Sequence, residues 1–229
     1  MPFGAARLGN VYAPRRLVGV LAMAVIQLPI QLPMPCSEED IRSLKAGDHV
    51  VLQNILFGIR DATYIHMFDK GRKAKFDMNG HAVIHTAPNV EKVPVSNKYP
   101  AGYRSICIGT TTSQRMERFT RPLMQEYGVR ITIGKGGLGE DSRKAFQEFG
   151  GVYLAIIGGT AALETTWITA IEDVDMDDLN PESLWRFAIK DFGPLLVAMD
   201  SHGNSVYDAV KKTAEDRRAA ALASIGVKV

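Results

Sequence analysis

Three cations stand where a β-rich run gives way to a helical pattern. One turn reads Gly109-Thr110-Thr111-Thr112-Ser113-Gln114-Arg115-Met116 and follows the run Ser105 to Ile108. A second reads Gly134-Lys135-Gly136-Gly137 and follows Val129 to Ile133. The third places Arg60 after the β-rich stretch His49 to Phe57, with Gly58 as its breaker. A strand that ends in glycine and small hydroxyl residues and enters a helix aims backbone N–H groups at the turn. It also aims the positive end of the helix dipole there. Guanidinium adds a fork of donors and ammonium a compact charge, both suited to carboxylate or phosphate oxygens. The spacing therefore predicts a small-anion site built at strand-to-helix turns. Capping threonines and solvated cations are the plainer reading of either turn alone; their repetition favours the site.

Other chemistry is less well supported. Gly134, Gly136 and Gly139 spell G-x-G-x-x-G, but Ile157-Gly158-Gly159-Thr160 stands where a dinucleotide site needs an acid about 20 residues on. Lys135 is followed by Gly136 and not by Ser or Thr, which excludes a Walker loop. His81 and His85 would share one face of a short strand without further ligands nearby, so surface or satisfied histidines are expected. Asp200, His202 and Ser201 or Ser205 lie too close in sequence for a triad, and no nucleophile elbow is present. Glu38-Glu39-Asp40 and the acids from Asp173 to Asp178 read as caps or solvated faces.

Cys36 and Cys107 are the two cysteines, far apart, so there is no disulfide framework and no metal-ligand spacing. Cys107, inside Ile106-Cys107-Ile108, is expected to be a buried core thiol, and Cys36 to be structural. The chain lacks the cysteines to hold an iron–sulfur cluster alone.

A chain of 229 residues suits one large domain, or one domain with extensions, and 46% hydrophobic residues supply a core. The formal charge of +2 is spread along the chain, which speaks against nucleic acid and against a membrane tether. Arg7, Arg15 and Arg16 precede an apolar run from Leu17 to Ile26 that resembles a signal peptide. No small-residue cleavage site follows, and the run is shorter than the roughly 20 residues of a membrane span. Residues 1–23 are therefore read as a dispensable extension, with Met23 as the functional start. Residues 24–229 are read as one cytoplasmic domain.

Within that domain Ala24 to Leu32 predicts a strand, and Ser37 caps a short helix that Gly47 ends. Arg60 to Tyr64 starts a helix that stops near Gly71, and Ala82 to His85 predicts a strand. Met116, Phe119, Leu123, Met124 and Tyr127 repeat at helical spacing, with a restart near Thr120 and Pro122. Ser142 to Phe149 predicts a helix and Val152 to Ile157 a strand. Thr165 to Ile171 predicts another strand, and Asn180 to Ser183 a helical turn. An edge strand is expected at Leu184 to Ile189 and a separate buried strand at Pro194 to Met199. A charged helix is expected over 205–224. The alternation predicts a mixed α/β fold with a partly parallel central sheet.

These residues resemble the class I (iron–sulfur) fumarate hydratases and L(+)-tartrate dehydratases, in their β subunit or C-terminal-type domain. Gly109 to Met116 resembles the GPTTSxRM motif, Ile133-Gly134-Lys135-Gly136 the IGKG motif, and Arg60-Asp61 the start of RDxxH. Ser37-Glu38-Glu39-Asp40-Ile41, Pro181-Glu182-Ser183-Leu184-Trp185, Phe192-Gly193-Pro194-Leu195 and Asp200-Ser201-His202-Gly203-Asn204 continue the likeness. It covers about residues 24–210.

The resemblance implies a swivelling β/β/α domain that closes over an α subunit, in a dimer of αβ pairs. That partner would carry a [4Fe-4S] cluster whose iron polarises the substrate oxygen. Arg60, Arg115 and Lys135 would contact the carboxylates of a dicarboxylate, Thr111 and Thr112 would bind substrate, and Thr111 with Lys135 would be catalytic. The implied reaction is hydration or dehydration, between fumarate and malate or between L-tartrate and oxaloacetate. Pro181 to Trp185 and Phe192 to Pro194 lean toward tartrate, and Gly158 to Leu163 toward fumarate. Two positions depart from the pattern: Thr110 replaces proline, and Tyr64 replaces the histidine of RDxxH. The second removes an imidazole near the expected site. It is the sole support for two alternatives: an unusual substrate, or a catalytically silent dicarboxylate-binding regulatory or assembly subunit. A free-standing anion-binding domain is a third reading.

Overall fold

The computed structural model describes residues 28–227. The extension therefore lies outside the described residues, as does most of the strand expected from Ala24. What is described of that strand is β1 (Ile30–Pro33). Ser37 then caps α1 (Glu38–Ser43), its Oγ accepting the Asp40 N–H at 3.1 Å while Asp40 accepts the Ser37 N–H at 2.9 Å. This reciprocal pair satisfies two N–H groups that a helix start leaves open. Next come β2 (His49–Ile59), α2 (Asp61–Tyr64) with a π-helical turn to Asp69, β3 (Ala82–His85), β4 (Asn89–Lys92) and β5 (Tyr103–Cys107). A 3₁₀ turn, Gln114–Phe119, leads into α3 (Thr120–Tyr127), so the helix does restart at Thr120. The rest is β6 (Ile131–Gly134), α4 (Glu140–Phe149), β7 (Val152–Ala155), α5 (Ala161–Thr166), β8 (Ile168–Asp175), β9 (Leu184–Met199) and α6 (Val206–Ser224).

Among the described residues seven strands form one sheet in the order β1-β2-β3-β6-β7-β9-β8, and β4 pairs with β5 apart from it. The first five run parallel to their neighbours, and β9 is antiparallel to β7 and β8. β9 also pairs with β2, so β2, β3, β6, β7 and β9 close a ring. The fold is mixed α/β around a partly parallel sheet, as expected. Ala82 and Ile84, Ile131 and Ile133, and Val152 and Leu154 join one core with Trp185, Phe187 and Val197. The alternate residues serve the other face, where Val83 packs with Tyr64 and Phe119 and Tyr153 with Phe146.

Several expectations need correction. Gly58 does not break its strand: β2 runs on to Ile59, and a Cβ at Gly58 would stand 2.6 Å from the Phe187 ring. The glycine permits close packing across β2 and β9. The segments at Leu184–Ile189 and Pro194–Met199 are one 16-residue strand lying between neighbours, not an edge strand and a second strand. The residues expected as a strand from Thr165 begin in α5, and β8 starts at Ile168. The helical turn expected at Asn180–Ser183 lies earlier, at Asp177–Leu179. Cys107 is only half-buried, on a strand outside the main sheet.

Candidate active site

The Gly109–Ser113 turn is fastened on three sides before any side chain reaches outward. Thr86 donates its hydroxyl to the Gly109 carbonyl at 2.8 Å. The Thr111 N–H donates to the His85 carbonyl at 2.7 Å, at the end of β3. The Ser113 N–H donates to the Lys135 carbonyl at 3.0 Å, so the hydroxyl turn and the lysine turn are neighbours, and Thr112 bridges Lys135 in parallel. Glu164 of α5, buried, accepts both the Thr110 N–H at 2.9 Å and the Thr110 Oγ1–H at 2.7 Å. A proline here would offer neither donor. The departure at Thr110 is thus matched by an internal acceptor.

Arg115 is the second residue of the 3₁₀ turn and spreads its fork over Asp61, Thr111 and Thr112. Its Nε lies 2.9 Å from both Asp61 carboxylate oxygens. Its Nη1 donates to the Thr112 carbonyl at 3.1 Å and its Nη2 to the Thr111 hydroxyl at 3.2 Å. Arg60, at the end of β2, lies 3.3 Å from Asp61 Oδ2 and 3.4 Å from Glu182 Oε1. Lys135 runs its stem past Gly158, where an added Cβ would stand 3.6 Å from Lys135 Cδ. Among the described residues no carboxylate lies within ion-pair reach of its ammonium. Arg60, Thr111, Thr112 and Arg115 are therefore connected through Asp61 and the Arg115 fork, and Lys135 joins them through its backbone bonds to the hydroxyl turn, although these residues are up to 75 positions apart (135 − 60).

That face differs from the anion site drawn from strand-to-helix turns. Some N–H groups at these turns are taken by carboxylates of the chain itself. Glu182 accepts the Ala62 N–H at 2.8 Å at the start of α2. Glu117 accepts the Gly139 N–H at 2.7 Å, and the Ser142 N–H and Oγ–H each at 2.8 Å, at the start of α4. Side-chain charge and the threonine hydroxyls remain on the face to meet an anion. Asp61 sits among the cations as a fixed counter-charge. Burial works against its ionisation, but the hydrogen bond and charge of Arg115, then Arg60, hold its pKa below the ordinary carboxylate value.

Asp61, Glu164, Glu182 and His85 complete the face, and sequence patterns do not single them out for these roles. Their partners lie 54, 54, 120 and 26 positions away, for Asp61–Arg115, Glu164–Thr110, Glu182–Ala62 and His85–Thr111. Tyr64, in place of the motif histidine, does not face outward: it is 1% exposed and stacks on Phe119 with ring centroids 5.0 Å apart. Asp200 accepts from Ala46, His202 and Asn204 and builds a turn, with no part in a triad. The chain's donor set does not suit an iron–sulfur cluster. Among the described residues no three His, Cys, Asp or Glu side chains converge on a metal position. The buried Cys36 thiol donates to the Gly80 carbonyl, and burial, then the Asp40 charge, push its pKa up to about 12.

The family described as Fumarase C-terminus matches residues 20–210. The chain belongs to that family. The L(+)-tartrate dehydratase subunit beta of Escherichia coli K12 is 35% identical over 188 residues, which cover 82% of this chain and 90% of that protein. A Methanocaldococcus jannaschii protein provisionally given the same name is 36% identical over 181 residues, covering 77% and 90%. A Geobacillus stearothermophilus protein provisionally named a class I fumarate hydratase is 37% identical over 189 residues. That match covers 82% of this chain but 35% of the longer protein. In the Fumarase C-terminus chain described here, no helix among the described residues is long and apolar enough to cross a membrane.

Proposed function

We propose that this chain is the substrate-clamping β subunit of a cytoplasmic, iron–sulfur-dependent hydro-lyase. Its substrate is a hydroxy-dicarboxylate, malate or L-tartrate, interconverted with fumarate or oxaloacetate. The observation that carries the reading is the position of Arg115. One guanidinium touches the hydroxyl of Thr111, the backbone of Thr112 and the carboxylate that orients Arg60. A dicarboxylate needs both ends held, and Arg60, Arg115 and Lys135 offer three cations on one face. Dehydration removes a proton from the carbon next to one carboxylate while the neighbouring carbon loses its hydroxyl as water. Thr111 Oγ1 is the group placed to take that proton. A neutral threonine is a weak base, so in this reading its own hydroxyl proton passes to the substrate hydroxyl that departs as water while Oγ1 takes the carbon-bound proton, and the Arg115 Nη2 proton directed at that oxygen stabilises the alkoxide character.

A second subunit completes the site in this reading. Ile157, 77% exposed, and Leu163, 50% exposed, flank the wall made by Gly158 and α5. The name subunit beta among the relatives, and the 35% share of the Geobacillus protein, point the same way. The [4Fe-4S] cluster belongs to that α subunit in this reading, the pair assembles as a dimer of αβ units, and this domain swings closed over it. Tyr64, on which the silent-subunit alternative rests, is buried beneath the site.

The test is anaerobic co-expression with the α-type subunit, followed by assay on fumarate, malate and L-tartrate. Turnover of one of these, with kcat/KM reduced at least about 100-fold by Lys135→Ala, supports the reading. A cluster-loaded complex that turns over none of them refutes it.

A further inference from the structure

Directly beneath the Thr111–Ser113 turn lies a buried polar chain to which the proposed reaction gives no role. The Tyr64 hydroxyl is 3.1 Å from His85 Nε2, His85 Nδ1 is 2.9 Å from Ser113 Oγ, and Ser113 Oγ is 2.9 Å from the Tyr153 hydroxyl. All four side chains are 0–1% exposed. They come from α2, β3, the hydroxyl turn and β7, so the chain ties together four segments distant in sequence. Space has been left for it: a Cβ at Gly134, on β6, would overlap Ser113 Oγ and stand 2.9 Å from the Tyr153 hydroxyl.

His85 holds the turn twice. Its carbonyl takes the Thr111 N–H, and its ring takes the Ser113 side chain two residues on. Between those two points lie Thr111 and Thr112. Three links need three donated protons. With a neutral ring the four groups leave one proton over, and with a doubly protonated ring they leave two, in a space without water-facing surface. The neutral ring therefore suits the chain, with one nitrogen donating and the other accepting.

We infer that His85 is a positioning residue, held as a single neutral tautomer between Tyr64 and Ser113, which fixes the direction of the Thr111 hydroxyl toward Arg115. Tyr64 serves as the outer partner that keeps the ring in place, which gives the tyrosine at this motif position a structural use. This rests on the assignment of Thr111 to the reacting face. Arg60 and Lys135 meet Tyr64 and Ser113 through backbone carbonyls, while among the described residues their charged groups make no hydrogen bond to the four side chains, so loss of the chain should affect the proton step more than substrate affinity.

Two measurements test it. In the full chain labelled with ¹⁵N-histidine, the His85 ring, assigned by its disappearance in His85→Gln, should show one neutral tautomer unchanged from pH 5 to pH 8. A ring that titrates in that range, or that averages both tautomers, overturns the inference whatever the activity. In the co-expressed complex, Ser113→Ala and Tyr64→Phe should each lower kcat about tenfold or more with KM changed less than about threefold, and Ser113→Thr should recover part of the loss. Full kcat in both variants overturns the positioning role and leaves the function standing. A wild-type complex with no turnover overturns the function and the positioning role together, while the tautomer measurement still reports whether the chain is ordered.

Discussion

Arg115 makes three kinds of contact at once: to a carboxylate, to a backbone carbonyl and to a hydroxyl. A lysine has charge but no planar fork and cannot span those partners together. Arg115→Lys should therefore behave like a deletion, lowering kcat/KM about 100-fold in the active complex, whereas a site that needs only positive charge would lose less than about fivefold. His85 carries a second prediction at this scale. Burial, against the opposing charge of Asp61 and with that of Arg115, pushes its pKa down to about 3. An unfolded histidine titrates near 6.5, so below about pH 6.5 the unfolded state takes up a proton that the folded state refuses. The corresponding stability is fully present above about pH 6.5. It is lost as pH falls toward 3, at up to about 1.4 kcal/mol per pH unit. Urea unfolding of the wild type and of His85→Gln between pH 4 and pH 6 checks this, and equal slopes in the two would sink it. The cations and threonines were legible in the sequence because they sit in short motifs. Asp61 was quoted there only as part of a motif, and its place between two arginines follows from tertiary folding that spacing does not encode.

The elements explain why those side chains stand where they do. α4 begins at Glu140, and two N–H groups at its start, of Gly139 and Ser142, donate to Glu117, which lies 22 and 25 positions before them. Glu117→Ala should leave that helix start unsatisfied and cost about 1–3 kcal/mol, read by denaturant titration. A cost below about 0.5 kcal/mol would show that solvent replaces the carboxylate freely. Helix existence was readable from Met116, Phe119 and Leu123, which do face the core. The capping carboxylates were not readable, because a glutamate in a polar stretch looks the same whether it is solvated or serves a distant helix. For the same reason the sequence does not show that Glu182 and Glu117 take N–H groups at the starts of α2 and α4. Gly58 failed for a related reason: a strand glycine is a breaker in isolation, but here Phe187 from β9 occupies the space of its side chain.

At the scale of the whole molecule, β9 decides the architecture. Its first part, Leu184 to Ile189, lies between β8 and β2, while Leu196 to Met199 pairs with β7. Local pattern divided it into two strands, and the division falls where Asp191 and Gly193 adopt positive φ and Pro194 follows. The chain instead bends there and passes from β8 to β7, and that passage closes the ring. Gly193 has φ +147°, and a Cβ would stand 2.7 Å from the Val50 carbonyl oxygen of β2. Neither partner can yield easily, since both are backbone inside the ring. Gly193→Ala should therefore destabilise the whole domain and not a local loop, by about 2 kcal/mol, from strain at a conformation that alanine rarely adopts. For a domain of this size that corresponds to a fall in Tm of roughly 4–8 °C in a single cooperative transition. Because Arg60 directly follows β2 and β3 ends at His85, loosening the ring should also disturb the reacting face. In the active complex the variant should lose kcat at temperatures well below its own Tm. An unchanged Tm would mean that the bend in β9 is incidental to closure, and a lowered Tm with full kcat would mean that the face is held by the turns alone.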